Sequence, residues 1–413
     1  MKMLVYGVAP NVVDGYVRIG ESTSIESLRR FVRAVVEVFG EEYLRSPNND
    51  DISRLLAQGG SRCSWLGSWK RKKTKEKFFL ENGGRVLEEL ITSCNGKSNP
   101  IKVFSAEELE KATNSYDPNL ILHEDWGYAF YRGTTAHGGR TILVKKFIYR
   151  LDDEHQARKV LEGTVNEVAI ASQLNHKNVL KLLGCCLETQ IPIQVYEFAS
   201  NGDLYHSVCR IEGEDNEDPT RPRHQISWKS RLRIATEIAY AITYLHKSTS
   251  KPIVHRDVKP SNIFLDEYFV AKLSDFTHSV YIPLGETHVK DDVQGTFGFI
   301  APEYCRLGLV TEKTDVFSFG MLLLELLMGR TPLNFQCSAE DFDFMFWESV
   351  RSSVQNYPIS EIVDPAILEE IRGIEQQVQA FVELSLRCIR GTAEERPTIM
   401  EAAKELRRIQ RSV

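Results

Sequence analysis

His255-Arg256-Asp257-Val258-Lys259-Pro260-Ser261-Asn262 is the stretch from which the rest of the chain can be read. An Asp, a Lys two residues on and an Asn five residues on converge from one loop. In that arrangement the Asp257 carboxylate accepts the proton of an attacking hydroxyl. The Lys259 ammonium faces a transferring phosphoryl group, and the Asn262 side-chain oxygen ligates a metal ion. Working outward, Asp275-Phe276-Thr277 follows thirteen residues after Asn262, then Ala301-Pro302-Glu303, then Asp315 ahead of an apolar helix. Upstream, Ile142-Leu143-Val144-Lys145 reads as a strand carrying a lysine, and Glu167 lies in a helical stretch 22 residues later.

This ordered set resembles the protein-kinase signature. The resemblance spans roughly Phe104 to Ile409 and implies a two-lobed α+β fold, β-rich first and helical afterwards. Short β-rich runs, Thr141 to Phe147 and Ile193 to Phe198, do precede the long helical runs that dominate after about 226. The pattern implies that Lys145 holds nucleotide phosphates and Glu167 pairs with it. It implies Asp257 as the base with Lys259 beside it, and Asn262 and Asp275 as Mg²⁺ ligands. Tyr196 resembles the gatekeeper, and the hinge Glu197-Phe198-Ala199 would meet the nucleotide base. Glu303 resembles the structural Glu that pairs with a late Arg, here Arg396. His255, Arg256 and Asp315 take structural positions. Thr287 and Thr296 lie in the activation segment. Thr296 is expected to contact the catalytic loop, and Thr287 is the freer phosphate acceptor for Arg256. ATP and Mg²⁺ are the implied cofactors, and Lys259 points to the Ser/Thr type.

A narrower resemblance rests on Phe78-Phe79-Leu80-Glu81-Asn82-Gly83-Gly84, Glu108-Leu109-Glu110-Lys111-Ala112-Thr113-Asn114 and Lys181-Leu182-Leu183-Gly184-Cys185-Cys186-Leu187-Glu188. These look like plant wall-associated-kinase relatives. The tract Leu87 to Lys97 is similar to the ZED-related kinases, plant cytoplasmic homologues mostly regarded as pseudokinases. The resemblance implies an adaptor of innate immunity that binds an NLR immune receptor and other receptor-like cytoplasmic kinases. Its implied place is cytoplasmic, open to the periphery of the plasma membrane.

The chain departs from the kinase pattern twice. Anchored on Phe130-Tyr131-Arg132-Gly133, the three positions of the Gly-x-Gly-x-x-Gly loop read His123, Asp125 and Tyr128. Glycine lets a backbone approach phosphates and take positive φ. Each replacement adds a side chain there, and Asp125 adds a negative charge. Gly127 survives one position off, so a slipped loop is expected to compensate in part. Thr277 stands where Asp-Phe-Gly has its glycine. A β-branched residue is stiff and tolerates positive φ poorly, so restricted switching is expected. Against this, Lys145, Glu167, Asp257, Lys259, Asn262 and Asp275 are all kept. Two readings stay open: a pseudokinase-like adaptor with weak or absent ATP binding, and an active Ser/Thr kinase.

Of 413 residues, 42% are hydrophobic and 26% charged, which excludes a mostly disordered chain, a collagen-like fibre or a coiled-coil rod. The net charge of −6 does not suit a dedicated nucleic-acid binder. Eight cysteines without a Cys-x-x-Cys pair or zinc-ligand spacing read as reduced thiols. Cys185-Cys186 reads as part of a packed strand. Lys2 excludes N-myristoylation, and no signal peptide is convincing. The most apolar run, Phe317 to Met328, is broken by Glu325 and too short to cross a bilayer, so it reads as a buried core helix.

Three regions are expected. Residues 1–69 form a helical extension, with Ser24 capping a helix over Ile25 to Leu44. The segment Tyr6 to Gly67 resembles plant Harbinger-type transposon proteins but carries no nuclease site. Residues 70–115 hold the basic run Lys70 to Lys77, read as a solvated linker, and a second helical pattern ending in the turn cluster Asn95 to Pro100. Residues 116–410 form the kinase domain, with a polar surface insertion at 210–224.

Overall fold

The computed structural model describes residues 62–94, 101–125, 127–136, 138–151, 153–209, 226–331 and 346–412. The helix expected at Ile25 to Leu44, the turn at 95–100 and the insertion at 210–224 lie outside them. The described residues fall into two units, one holding 62–94 together with Leu187–Gln190, the other holding the described residues from Ile101 to Cys186 and from Ile191 onward.

In the first unit, α1 runs unbroken over Arg62–Cys94. The basic run lies inside this helix and is not a linker, and α1 passes position 69–70 without interruption. Lys, Arg and Glu are good helix formers, and Lys77 and Glu81 pair one turn apart at 3.8 Å. Lys72 to Lys77 are nonetheless mostly exposed. Asn82 is buried and its side-chain amide donates to the carbonyls of Leu187, at 3.0 Å, and Thr189, at 2.8 Å.

In the second unit, β1 (Lys102–Val103) leads into α2 (Ala106–Ala112), which Ser105 and Glu108 close with a capping box. Strands β2 (Ile121–Asp125), β3 (Tyr128–Thr134) and β4 (Thr141–Phe147) follow, then helix α3 (Glu154–Ala171), then β5 (Leu182–Cys186) and β6 (Ile193–Glu197). The six strands form one sheet in the order β1-β5-β6-β4-β3-β2, antiparallel except for β1 against β5. Phe104, Leu109, Tyr131, Ile142, Val144, Cys186 and Val195 build its buried core, so Cys186 packs as expected.

The helical lobe begins with α4 (Leu204–Val208) and α5 (Trp228–Lys247). Short strands β7 (Ile253–Val254), β8 (Ile263–Leu265) and β9 (Ala271–Leu273) frame the His255–Asn262 loop. The segment after β9 carries β10 (Val280–Tyr281), β11 (Val289–Lys290), α6 (Pro302–Leu307) and β12 (Leu309–Val310). Helix α7 (Glu312–Met328) is buried from Thr314 to its end, as its composition predicts. Helices α8 (Phe346–Asn356), α9 (Ile359–Ile362), α10 (Glu375–Cys388) and α11 (Ile399–Gln410) complete the lobe. A β-sheet lobe followed by a helical lobe is the α+β architecture expected from sequence.

Candidate functional site

Strand β4 and helix α3 bring Lys145 and Glu167 together in the interior, with Nζ 2.7 Å from Oε2. Asp275 Oδ1 stands 3.3 Å from the same Nζ. Burial alone would lower the Lys145 pKa, but the Asp275 and Glu167 carboxylates outweigh it and hold the ammonium above its ordinary value. Burial likewise opposes charge on Asp275, and Lys145 and a bond from Thr277 reverse it, so its carboxyl sits below the usual range. Glu167 accepts three further bonds: from Gln194 Nε2 at 2.9 Å, Tyr196 Oη at 2.6 Å and Thr277 Oγ1 at 3.1 Å. Phe276 is fully buried with its ring 5.0 Å from that of His255.

The residue with left-handed backbone here is Asp275, at φ 63°, and Thr277 has no positive φ. The conformational objection to Thr277 therefore does not apply in this state. Its space comes from α3: a Cβ on Gly163 would lie 2.7 Å from Thr277 Cγ2. Thr277 is accommodated by a glycine inside a helix and used as a donor to Glu167.

Asp315, at the start of α7, fixes the His255–Asn262 loop. Its two oxygens accept the backbone amides of His255 and Arg256, each at 2.9 Å, and His246 Nε2 lies 2.8 Å from Oδ2. Asp257 Oδ1 accepts the Thr296 amide at 2.8 Å, and Oδ2 accepts Asn262 Nδ2 at 2.8 Å. Lys259 Nζ is 3.5 Å from Asp257 Oδ2. The structure thus gathers Asp257, Lys259, Asn262 and Thr296, and it places Asp275 with Lys145 and Glu167. Arg256, left-handed at φ 70°, donates to Asp291 Oδ2 at 2.8 Å, to Tyr304 Oη at 3.0 Å and to the His278 carbonyl. A carboxylate of the activation segment therefore stands where a phosphate was expected. Thr287 is exposed beside His288 and is not brought to Arg256. Arg396 and Glu303 pair through two bonds of 2.7 Å. Glu197 closes β6 opposite Ile142, its carboxylate 3.1 Å from Lys272 Nζ, and Ala199 is fully buried after it. At these two hinge positions only backbone groups could meet a base.

The loop that should cover phosphates is a tight hairpin. Asp125 faces Tyr128 across it, and Gly127 lies in the turn between them. Gly127 takes φ 86°, and a Cβ there would lie 2.9 Å from the Phe147 and Tyr149 rings. The surviving glycine serves the turn and does not restore the lost loop. His123 is buried, its Nδ1 3.1 Å from Asp203 Oδ2. Asp125 Oδ2 reaches Lys259 Nζ at 2.7 Å and accepts Ser261 Oγ at 3.3 Å. Tyr128 lays its ring 4.6 Å from Lys145 Nζ and bonds Thr164 at 2.8 Å. Sequence reasoning missed the Asp291 and Asp125 contacts, Gln194, His246 and the Asp203–His206 pair. The three-residue spacing from a helix N-cap marks only the last of these.

The family model described as Protein kinase domain matches residues 129–406. The Arabidopsis thaliana serine/threonine-protein kinase ZRK1 is 38% identical over 354 residues, 85% of this chain and 97% of that protein. The non-functional pseudokinase ZED1 of the same plant is 38% identical over 351 residues, 83% of this chain and 99% of its own length. Wall-associated receptor kinase-like 4 is 37% identical over 343 residues, and the chain spans only 42% of its length. With the paired Lys145–Glu167, the Asp257 loop and the buried Asp275-Phe276 in two lobes of this order, the chain belongs to the protein kinase family.

Proposed function

We propose that this protein is a kinase-fold signalling adaptor of plant innate immunity with impaired ATP use, which binds an NLR immune receptor and other receptor-like cytoplasmic kinases. The single observation that carries impaired ATP use is the 2.7 Å contact between Asp125 and Lys259. Family membership implies ATP and Mg²⁺ in general. Here Asp275 and Asn262 suit a Mg²⁺ ion as oxygen ligands, but the cradle over the phosphates does not fit. Lys259, the lysine that would face the transferring group, is already neutralised, and the side chains of His123, Asp125 and Tyr128 turn into the cleft. The partner half rests on the ZED-related tract at Leu87 to Lys97 and on the likeness to proteins of that group. A cytoplasmic place agrees with the described helices, none of which is long and apolar enough to cross a membrane.

An active Ser/Thr kinase is the second reading. It is favoured by the assembled Lys145–Glu167 pair at 2.7 Å and by the buried Phe276. One experiment separates the two. The full chain is heated with and without ATP–Mg²⁺ and then incubated with radiolabelled ATP. The adaptor reading expects no nucleotide-dependent shift in Tm and no incorporation. Incorporation that disappears in Asp257→Asn would establish the kinase instead. Co-immunoprecipitation with an NLR is expected to persist in Asp257→Asn, and its loss there would return the function to phosphotransfer.

A further inference from the structure

Outside the phosphoryl-transfer residues, three metal-capable side chains converge from distant parts of the chain: His123 on β2, and Asp203 and His206 at the start of α4. One donor atom from each lies within 4.8 Å of the other two. His206 Nδ1 is 2.9 and 2.8 Å from the two Asp203 oxygens, and His123 Nδ1 is 3.1 Å from Oδ2. The imidazole rings of His123 and His206 meet edge to face, with centroids 5.8 Å apart. His123 is only 5% exposed, yet neither ring nitrogen has a hydrogen-bond partner. The Nδ1–Asp203 approach is close enough for an ion pair but not aligned as a hydrogen bond. A buried imidazole whose ring nitrogens make no aligned hydrogen bond is costly.

We propose that His123, Asp203 and His206 bind a divalent transition-metal ion of the zinc class, which fastens strand β2 to helix α4. Two imidazoles and one carboxylate form a borderline donor set that suits Zn²⁺, Co²⁺, Ni²⁺ or Cu²⁺ and not Mg²⁺ or Ca²⁺. Zinc bonds to N and O of about 2.0–2.2 Å place tetrahedral donors about 3.3 Å apart. The separations of 2.8 and 3.1 Å therefore need to open by only a few tenths of an ångström, while the two imidazole donors, within 4.8 Å of each other, close on the ion. The His206 side chain is 51% exposed, which gives an entry path and a side from which water supplies the fourth ligand. Sequence spacing hid the set because His123 lies eighty residues before Asp203. Two residues along β2, Asp125 emerges on the same side as His123, since side chains alternate along a strand. The ion would thus fasten the hairpin that lays Asp125 on Lys259. This inference is independent of the adaptor reading, since it concerns the hairpin's anchorage and not what the protein binds.

The test uses the full chain, stripped with chelator and titrated with Co²⁺, whose ligand-field spectrum reports its donors. The expected result is a saturable one-equivalent tetrahedral spectrum without thiolate charge transfer. Affinity should fall roughly tenfold or more in His206→Gln, whose half-exposed ring can be changed without unfolding the protein. His123→Gln should behave alike, and hydrogen exchange across Ile121–Tyr131 should slow when cobalt binds. No saturable binding in excess cobalt, a thiolate charge-transfer band, or affinity unchanged in His206→Gln would each overturn the proposal.

Discussion

Asp125 does at one position what the loss of three glycines only suggests. Two opposite unit charges about 4 Å apart attract by about 1 kcal/mol in water and about 4 at an effective dielectric of 20. Asp125 and Lys259 are closer than that, with side chains 22% and 6% exposed, so water screens them little. A phosphate group must displace this carboxylate to reach Lys259. Asp125→Gly is therefore expected to tighten ATP–Mg²⁺ binding at least about tenfold, one decade being about 1.4 kcal/mol. The readout is a nucleotide-dependent Tm shift present in the variant and absent in the parent. An unchanged response would assign the block to His123 and Tyr128. The sequence exposed the missing glycines because the Phe130–Gly133 anchor fixes their positions. It could not expose where the new side chains go. Asp125 reaches a residue 134 positions away and Arg256 meets Asp291, and no local spacing encodes either contact.

At the scale of elements, α3 and α7 each carry a residue that looks wrong for its setting. Glycine in a helix costs about 1 kcal/mol relative to alanine, yet Gly163 sits within α3 because Thr277 Cγ2 fills the space a Cβ would need. Gly163→Ala is expected to destabilise the parent by about 1–3 kcal/mol through overpacking. In a Thr277→Gly background the same change should stabilise by up to about 1 kcal/mol, and chemical denaturation of the four proteins reads this reversal of sign. In α7, Glu325 is buried among apolar neighbours, and burial pushes its pKa from the ordinary 4.5 up to about 8, opposed by a bond from Thr331. A carboxyl raised in the folded state contributes fully below pH 4.5, and that contribution is lost as pH rises toward 8. At pH 7 the cost is about 3 kcal/mol, at about 1.4 per pKa unit. Glu325→Gln should raise Tm by several degrees at pH 7–8, with the gain vanishing near pH 4.5. Helix α7 itself was legible because an apolar run of that length has one soluble solution. Helix α1 was not, because a basic run reads as solvated in either conformation and only its high helix propensity separates the two.

On the scale of the molecule, the sheet lobe and the helical lobe of the second unit meet through polar contacts that need no nucleotide. Lys145 on β4 reaches Asp275 at 3.3 Å, Asp125 on β2 reaches Lys259 at 2.7 Å, and His123 approaches Asp203 at 3.1 Å. In a kinase that binds nucleotide, the triphosphate supplies negative charge to such lysines. Here carboxylates of the chain supply it, Asp291 does the same for Arg256, and four donors hold Glu167. The assembled arrangement is therefore expected to be constitutive. Hydrogen exchange of amides in β2 and β3, residues 121–134, should be the same with and without ATP–Mg²⁺. Asp125→Asn keeps the side-chain shape and removes the charge. It should speed exchange in that segment severalfold, while amides of the buried α7 keep the slow rate set by global unfolding. The change is local because Lys259 retains Asp257 at 3.5 Å and the sheet keeps its own core. Protection of 121–134 that rises on adding nucleotide to the parent protein would show that the cleft still closes on a ligand, and the constitutive arrangement would have to be given up.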